Sequence, residues 1–279
     1  MTTNNLNENL SNNQIKIATY YKFLQLDNLE ELKELLLNTA KEMHIKGTIL
    51  IGNEGVNSTI CANDKDLEKY LHFLQNISPI GKLDNIKYSF ADFWPFEKMK
   101  VKIKKEIVSI GFQNKENGYD VETGEYLDAK DWNELLDNPE AIVIDTRNGY
   151  EYRMGTFKNA INPKIKAFRD FPEYVEKNIK DKEKPIAIFC TGGIRCEKAS
   201  TMMKQKGYKH VYQLHGGILK YFEETNEETT KWEGRCSVFD DRIAVDQDLN
   251  SAGVPEDRVI YAKGFNNNPL NKNRKTEKP

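Results

Sequence analysis

The chain has 279 residues, of which 38% are hydrophobic and 30% are charged. This is more than one compact unit normally holds, so two domains and a tail are expected. The formal net charge of −2 excludes the strongly basic class of protein that binds nucleic acid by bulk attraction. The polar N-terminus does not resemble a secretory signal, and no apolar run approaches the roughly 20 residues that span a bilayer, so we expect a soluble, cytoplasmic protein with no membrane partner.

The first part of the chain alternates between strand and helix patterns. Residues 1–14 are polar and are expected to be disordered. The expected elements are a strand at 15–23, a helix at 28–43, a hairpin turning at Asn53-Glu54-Gly55, a helix at 64–76 capped by Asn63, and strands near 86–91 and 99–110. The order is βαββαβ with an added strand. It predicts a ferredoxin-like, or acylphosphatase-like, α+β domain at residues 15–112.

A second domain of a different class follows. Residues 113–125 are rich in Asn, Lys, Glu and Gly, as in a linker. Within residues 126–228 we expect helices at 129–137, 165–179 and 196–206, with buried strands in AIVIDTR, PIAIFC and HVYQL. Continuous apolar strands separated by helices predict an α/β domain with a parallel sheet covered on both faces. Residues 229–279 form a short C-terminal extension, and its Asn- and Lys-rich last part is expected to be disordered.

The segment IAIFC-TGGIRC-EKAS at residues 186–200 carries the strongest chemical signal. A buried strand delivers Cys190 to its carboxyl end, where open α/β sheets place their ligand sites. The loop is Thr191, Gly192, Gly193, Ile194, Arg195 and Cys196. Its glycines allow inward-facing N–H groups, a helix N-terminus follows, and Arg195 adds a permanent charge. Together these should lower the thiol pKa from about 8.5 toward neutrality. We therefore assign Cys190 and Arg195 as candidate catalytic residues. We also expect the sulfur to be accessible to a nucleobase.

This loop resembles the active-site loop of rhodaneses, in which the first cysteine of a C-x-x-G-x-R segment carries a persulfide. Related cysteine phosphatases have one more residue between Cys and Arg, so the four residues between Cys190 and Arg195 disfavour a phosphatase. The segment around Asp145 and Arg147 resembles the part of a rhodanese domain that packs beneath the loop. We expect these two residues to support the loop by pairing with each other or by tying it in place.

The resemblance extends beyond one domain. The segments GTILIGNEGVNSTI, FEKMKVKIKKEIVSIG, DTRNGYEYRMGTF, CTGGIRCEKAS, QLHGGILKY and CSVFDDRIAVD are similar, in this order, to those of the rhodanese-domain tRNA uridine(34) hydroxylase family. That resemblance implies oxygen-dependent conversion of the wobble uridine of tRNA to 5-hydroxyuridine. Molecular oxygen would be the co-substrate. The sequence has no cofactor pattern and does not identify the electron donor.

Some family members carry a cysteine-rich C-terminal extension, but here only Cys236 follows the rhodanese segment, and Ser237 stands where the family usually has an aromatic residue. No metal site is therefore expected. The four histidines also lack ligand spacing; they are His44, His72, His210 and His215.

Contact with RNA is expected to be local. The four candidate lysines, which alternate with apolar residues so that a strand would place them on one face, are Lys98, Lys100, Lys102 and Lys104. They are equally typical of a solvated edge strand protected from aggregation. Trp94-Pro95-Phe96 offers rings for base stacking or for packing between domains. The basic residues of the tail, which could add weak attraction, are Lys272, Arg274, Lys275 and Lys278.

The sequence leaves two alternatives to a hydroxylase open. The loop alone also suits a sulfurtransferase that carries a persulfide on Cys190, and a non-catalytic RNA-binding protein is the other alternative. Cys196 is either a resolving thiol for Cys190 or a small packing residue. An exposed strand edge in the first domain leaves a homodimer open.

Overall fold

The structure, a computed structural model, describes residues 14–111 and 122–253. The first domain is a five-stranded sheet with two helices. Its elements are β1 (Ile15–Phe23), α1 (Leu29–Glu42), β2 (Lys46–Gly52), β3 (Gly55–Ala62), α2 (Asp64–Asn76), β4 (Lys87–Ala91) and β5 (Met99–Ile103). The strand order is β4-β1-β3-β2-β5, and all neighbours are antiparallel except β2 and β5. This confirms the ferredoxin-like, acylphosphatase-like α+β fold.

Both helices of the first domain cover the same face of the sheet. In α1 the buried residues Leu32, Leu36 and Ala40 recur every four positions, which places them on one stripe. Helix α2 begins after Asn63, whose side chain accepts a hydrogen bond from the backbone N–H of Asp66 at 2.9 Å. The opposite face of the sheet is therefore free to contact the second domain.

The second domain contains a parallel four-stranded sheet in the order β6-β10-β9-β7. Its elements are β6 (Glu125–Leu127), α3 (Ala129–Leu136), β7 (Ile142–Asp145), α4 (Gly149–Met154), β8 (Gly155–Phe157), α5 (Phe171–Asn178), β9 (Ile186–Phe189), α6 (Ile194–Gln205), β10 (Val211–Leu214) and α7 (Gly217–Glu224). Alternate residues of β9 enter two separate apolar clusters, Ala187 and Phe189 on one side and Ile186 and Ile188 on the other. The sheet is thus covered on both faces, as predicted.

The beginning of the C-terminal extension is an integral part of the second domain. It contains β11 (Trp232–Gly234), β12 (Cys236–Ser237) and β13 (Ala244–Val245), and β11 pairs antiparallel with β8. Trp232 and Cys236 are buried in the same apolar cluster as β9. The extension also reaches the first domain, because the Phe90 N–H donates to the Leu249 carbonyl at 3.0 Å.

Two predicted elements were wrong in extent. The strand expected at 99–110 ends at Ile103, because its partner β2 ends at Gly52 and offers no further ladder. The helix expected at 165–179 is instead a 3-10 turn at Phe168–Asp170 followed by α5, in which Pro172 occupies the first turn. Proline favours a helix start at that point because its fixed φ suits the first turn.

Other predicted boundaries fall largely outside the described residues. This holds for the disorder expected at 1–14 and in the last part of the tail, and for most of the linker expected at 113–125. Glu125, at the end of that linker, already pairs in β6 with Tyr212 of β10. Within the two described ranges, no helix combines the length and apolar character that crossing a bilayer demands.

The two domains meet through polar contacts around α6. Lys198 Nζ donates to Glu54 at 2.8 Å and to Glu106 at 2.9 Å, both in the first domain. Tyr21 Oη of β1 donates to Glu197 Oε1 at 2.6 Å. These bonds hold the helix-free face of the first sheet, which lies opposite α1 and α2, against the loop that begins at Cys190.

Candidate active site

Cys190 lies at the carboxyl end of β9, and the loop from Thr191 to Gly193 carries the chain into α6. Gly193 has φ 97° and donates its N–H to Cys190 Sγ at 3.2 Å. Gly217, at φ 71°, closes the other side of the loop, and a Cβ placed on it would lie 2.6 Å from both the Cys190 carbonyl oxygen and the Gly193 nitrogen. Both glycines are thus required, by a left-handed backbone and, for Gly217, by lack of space.

The surroundings of Cys190 favour its thiolate. Burial raises the pKa of the thiol, but a hydrogen bond from Cys196, the charge of Arg195, and the backbone N–H groups of Arg195 and Cys196 outweigh it. They lower the pKa from 9.0 to about 6. The pKa of Cys196 moves the other way, well above its ordinary value, because of burial and the adjacent Cys190. The predicted nucleophile therefore carries its negative charge at neutral pH.

Arg195 is fixed by a partner that the sequence reasoning had not assigned to it. Its Nη1 and Nη2 donate to the two carboxylate oxygens of Glu151 at 3.0 and 2.9 Å. Glu151 is fully buried at the start of α4 and also accepts the Asn148 N–H at 3.0 Å. Phe239 lies with its ring 5.4 Å from the guanidinium carbon. Two fixed hydrogen bonds hold the guanidinium in one orientation beside the sulfur.

Asp145 and Arg147 pair with each other beneath the loop. Arg147 Nε donates to Asp145 Oδ1 at 2.9 Å and Nη2 to Oδ2 at 2.6 Å, and both side chains are fully buried. Arg147 Nη2 also donates to the Gly155 carbonyl at 2.6 Å. The adjacent Thr146 donates its hydroxyl to the Phe189 carbonyl at 2.9 Å, directly before Cys190. The segment thus anchors the end of β9 and does not contact Cys190 itself through these bonds.

The expectation that a base can reach the sulfur is not met in this conformation. Cys190 is only 1% exposed. The face of the first sheet lies over the loop: Tyr21 Oη is 2.9 Å from the position of a Cβ on Gly193, and Thr19 Cγ2 is 3.8 Å from that on Gly192. Sequence patterns could not show this, because the covering residues lie about 170 positions earlier in the chain.

The four candidate RNA-binding lysines lie at the far edge of the same sheet. Lys100 and Lys102 are exposed in β5, an edge strand, and Lys98 and Lys104 flank it. Lys100 is opposite Thr48 in the parallel register with β2. Because Val101 points into the helix-covered core, alternation places Lys100 and Lys102 on the helix-free face of the sheet. That face runs from these lysines to the Cys190 loop.

The aromatic residues of Trp94-Pro95-Phe96 divide between surface and core. Trp94 is partly exposed, and Lys46 Nζ lies 4.3 Å from the centre of its ring. Phe96 packs against a buried cluster that includes Ile15, Ile17 and Cys61. Trp94 therefore stays available for stacking, whereas Phe96 serves packing. The basic tail from Lys272 to Lys278 lies outside the described residues.

The remaining thiols do not share the environment of Cys190. All four cysteines are free and buried. Burial raises the pKa of Cys61 and of Cys236 to about 12 in each case. Cys196 Sγ lies 3.9 Å from Thr146 Oγ1 and packs in the same apolar cluster as Cys190. Among the described residues, no group of three or more His, Cys, Asp or Glu side chains could hold a metal ion.

Sequence reasoning also missed the polar residues that surround the loop. Glu197 accepts hydrogen bonds from Tyr21 at 2.6 Å and from Tyr126 at 2.7 Å. Lys87 is buried on β4, and its Nζ has no hydrogen-bond partner within residues 14–111 and 122–253. The sequence signal for Lys87 was a lysine within the strand pattern near residues 86–91, because a lysine is seldom fully buried unless it is paired.

Comparison with known proteins gives the same two domains. The family model described as UPF0176 acylphosphatase-like domain matches residues 15–107, and that of the Rhodanese-like domain matches residues 128–224. Among solved structures, the polysulfide-sulfur transferase homodimer of Wolinella succinogenes is 30% identical, with a TM-score of 0.32 over 36% of this chain and 74% of that one.

Two curated relatives match most of the chain. They are the tRNA uridine(34) hydroxylases of Legionella pneumophila strains Paris and Corby. Each is 48% identical over 237 residues, which make up 85% of this chain and 92% of the relative. With both domain models matched in order and this degree of identity, the chain belongs to the tRNA uridine(34) hydroxylase family.

Proposed function

We propose that this protein hydroxylates uridine 34 of tRNA to 5-hydroxyuridine and that Cys190 carries the chemistry. The observation that supports this most strongly is the thiolate environment of Cys190 in a chain 48% identical to tRNA uridine(34) hydroxylases. A sulfur with a pKa of about 6 is mostly ionised at neutral pH and is thus a nucleophile without a separate base.

The residues of the loop have distinct roles in this proposal. The Gly193 N–H and the guanidinium of Arg195 stabilise negative charge at the sulfur and on an anion that forms next to it. Glu151 keeps the guanidinium in place. Sulfur 190 either adds to the pyrimidine ring or takes part in activating oxygen. Molecular oxygen is the proposed co-substrate: one oxygen atom enters the base and the other leaves as water, so an external donor must supply two electrons.

Access to the sulfur requires a movement of the first domain or of the loop. Cys190 is covered by β1 and β4, and an extruded base needs more room than this conformation provides. The contacts that must be released are polar, such as the Tyr21–Glu197 and Lys198–Glu54 bonds. Polar contacts between domains exchange readily with water, so such an opening is compatible with an otherwise intact fold.

The helix-free face of the first sheet is the proposed path of the RNA. Lys100 and Lys102 at its edge can contact phosphates, and the threonines between them and the loop, Thr48, Thr59 and Thr19, are neighbours in register. With strand spacings of about 4.8 Å, the distance from β5 to β4 is about 19 Å. This suits several nucleotides of an anticodon loop.

We place the activity in the cytoplasm, where tRNA is modified and read.

The test uses cells that lack the gene. Transfer RNA from cells complemented with wild type, Cys190→Ser or Cys61→Ser is digested and analysed by mass spectrometry for 5-hydroxyuridine and its derivatives. Cys61 is the matched control, since it is an equally buried free thiol whose pKa is raised. We expect wild type and Cys61→Ser to restore the modification and Cys190→Ser to fail. Equal restoration by all three would exclude catalysis by Cys190.

The purified protein separates the hydroxylase from the sulfurtransferase. Cyanolysis detects sulfane sulfur on Cys190, and undermodified tRNA incubated with and without oxygen reports hydroxylation. Oxygen-dependent formation of 5-hydroxyuridine supports the proposal. Sulfane sulfur that is turned over without any oxygen-dependent change in tRNA would favour the sulfurtransferase instead. Size-exclusion chromatography with light scattering tests the homodimer in the same preparation.

A further inference from the structure

Lys87 is a buried ammonium group in an unusual position. It is 1% exposed, and its Nζ has no hydrogen-bond partner among the described residues. It begins β4 in the first domain, directly opposite Thr19 of β1. Cross-strand partners point to the same face, so its side chain points toward the second domain. A buried charge is costly unless an opposite charge or hydrogen bonds compensate it, so this ammonium calls for an anion nearby.

The geometry around Lys87 leads to the Cys190 loop. Lys87 Nζ lies 4.7 Å from the centre of the Tyr21 ring, and its Cε lies 3.5 Å from the position of a Cβ on Gly216. The next residue, Gly217, touches the backbone of Cys190 and Gly193. The ammonium therefore lies between the β1 tyrosine and the closing turn of the loop.

Several charged groups face Lys87, and the sulfur of Cys190 exerts the largest favourable influence among them. Burial lowers the pKa of Lys87 from 10.5 to about 8, and the negative charges of Cys190, Glu223 and Glu197 partly oppose this, in that order. Lys220 adds a small repulsion. Lys220 is itself paired with Glu223 at 3.0 Å, and Glu197 receives two tyrosine hydroxyls. Among the described residues, Cys190 is thus the one of these three anions that accepts no hydrogen bond from a lysine or tyrosine side chain.

We propose that Lys87 is a positioning residue of the reaction, an ammonium that the first domain delivers to the second to stabilise the thiolate of Cys190. The catalytic loop of the second domain is completed by the first only when the domains are closed. Opening for the substrate removes the cation from the sulfur, and closing restores it. The link to tRNA hydroxylation rests on the proposed role of Cys190, whereas the pairing of the two groups does not.

The decisive measurement is the ionisation of Cys190 in the full chain, followed by thiolate absorbance near 240 nm. The other three thiols have raised pKa values, and tyrosines, with an ordinary pKa of about 10, stay protonated below about pH 8. The absorbance change below about pH 8 that is lost in Cys190→Ser therefore belongs to Cys190. Lys87→Met removes the charge but keeps the length of the side chain. An opposite charge within about 4–6 Å shifts a pKa by about 1–3 units, and the lower end applies here because no hydrogen bond joins Lys87 Nζ to the sulfur in the described part of the chain. We expect the midpoint in Lys87→Met to rise by about one unit, which leaves about fivefold less thiolate at pH 6.

Lys16→Met is the matched control. Lys16 Nζ also lies 4.7 Å from a tyrosine ring, that of Tyr88, but it is paired with Asp64 at 2.6 Å on the other face of the same sheet. Its loss should leave the Cys190 midpoint unchanged. A merely structural role for Lys87 would lower the unfolding temperature without moving the midpoint. An unchanged midpoint in folded Lys87→Met overturns the proposal.

A second measurement leaves Lys87 intact. Nitrogen-15 NMR of the lysine Nζ groups follows the titration of Lys87 in wild type and in Cys190→Ser. Loss of the sulfur anion should lower the pKa of Lys87, and an identical titration in both proteins would refute the pairing. Neither readout involves tRNA. If Cys190→Ser still modified tRNA, the proposed function would fail while the pairing could still hold; the two failures are therefore distinguishable.

Discussion

Replacing Glu151 by Gln tests whether the Arg195–Glu151 pair holds the loop that follows Cys190. Glu151 is fully buried and receives both guanidinium nitrogens at 2.9 and 3.0 Å. An amide can accept only one of these bonds, and its NH₂ group then faces the second donor. Removing one partner of a buried ion pair costs about 3–5 kcal/mol, because the other charge stays buried. At about 2–4 °C per kcal/mol, the unfolding temperature should fall by at least about 6 °C.

The pKa of Cys190 should shift in the direction opposite to that expected for loss of a cation. The substitution removes a negative charge near the sulfur, while the one hydrogen bond that the glutamine oxygen still accepts keeps the positive charge of Arg195 in place. The pKa of Cys190 should therefore stay at about 6 or fall, even as the protein is destabilised. Differential scanning calorimetry gives the first quantity, and thiolate absorbance gives the second.

Glu173→Gln is the control for this prediction. Glu173 also forms an ion pair, with Lys177, but both side chains are more than two-thirds exposed. Exposed helical pairs contribute only about 0.3–0.5 kcal/mol, so its loss should change the unfolding temperature by about 1–2 °C. Equal falls in unfolding temperature in Glu151→Gln and Glu173→Gln would show that the buried Arg195–Glu151 pair stabilises the fold no more than an exposed pair. A clear rise in the Cys190 pKa in Glu151→Gln would refute the electrostatic reasoning.

Three further predictions concern the loop and the sheet. Gly217→Ala should lower the unfolding temperature by several degrees and shift the thiolate midpoint, because the new Cβ would lie 2.6 Å from the Cys190 carbonyl at φ 71°. Formation of 5-hydroxyuridine by wild type should fall as the pH is lowered through about 6, where the Cys190 thiolate is protonated. Lys100→Met with Lys102→Met should weaken tRNA binding and reduce its salt slope by about 1 per lysine in filter-binding assays.

Matched measurements accompany these predictions. Gly253 has φ 60° with no atom within 4 Å of a Cβ, so Gly253→Ala isolates the backbone strain from the clash. The pH titration should vanish from the absorbance signal in Cys190→Ser. Lys41, an exposed lysine of α1 on the opposite face of the sheet, is the control for RNA binding. A salt slope unaffected by the double substitution would exclude the β5 edge from the RNA path.

The pH dependence of stability has a defined sign at Cys190. Its pKa is lowered by folding from 9.0 to about 6, so the folded state holds its proton less tightly than the unfolded state. The resulting stabilisation is fully present above about pH 9 and is lost as the pH falls through about 6. Lys87, whose pKa falls to about 8, destabilises the folded state below that pH, and this cost is relieved as the pH rises from about 8 toward 10.5.

Sequence patterns alone predict most of the strands and helices and the loop that follows Cys190. Apolar periodicity located the strands and helices, and the order of Cys190, Gly193 and Arg195 indicated the chemistry, because a strand, a turn and a helix start are set by neighbouring residues. Each of these features arises from contacts within a few positions of the chain. The alternating lysines around β5 fitted an edge strand and an RNA-binding face equally well, and the structure places β5 at the edge of the sheet.

The surroundings of the sulfur are set by the folded chain and not by its local sequence. Glu151, Lys87 and Tyr21 lie 39, 103 and 169 positions before Cys190 in the chain, and no local pattern connects them with it. Their burial depends on how one face of the first sheet packs against the loop of the second domain. Burial and charge are properties of that packed interface, and they set both the pKa of Cys190 and its accessibility.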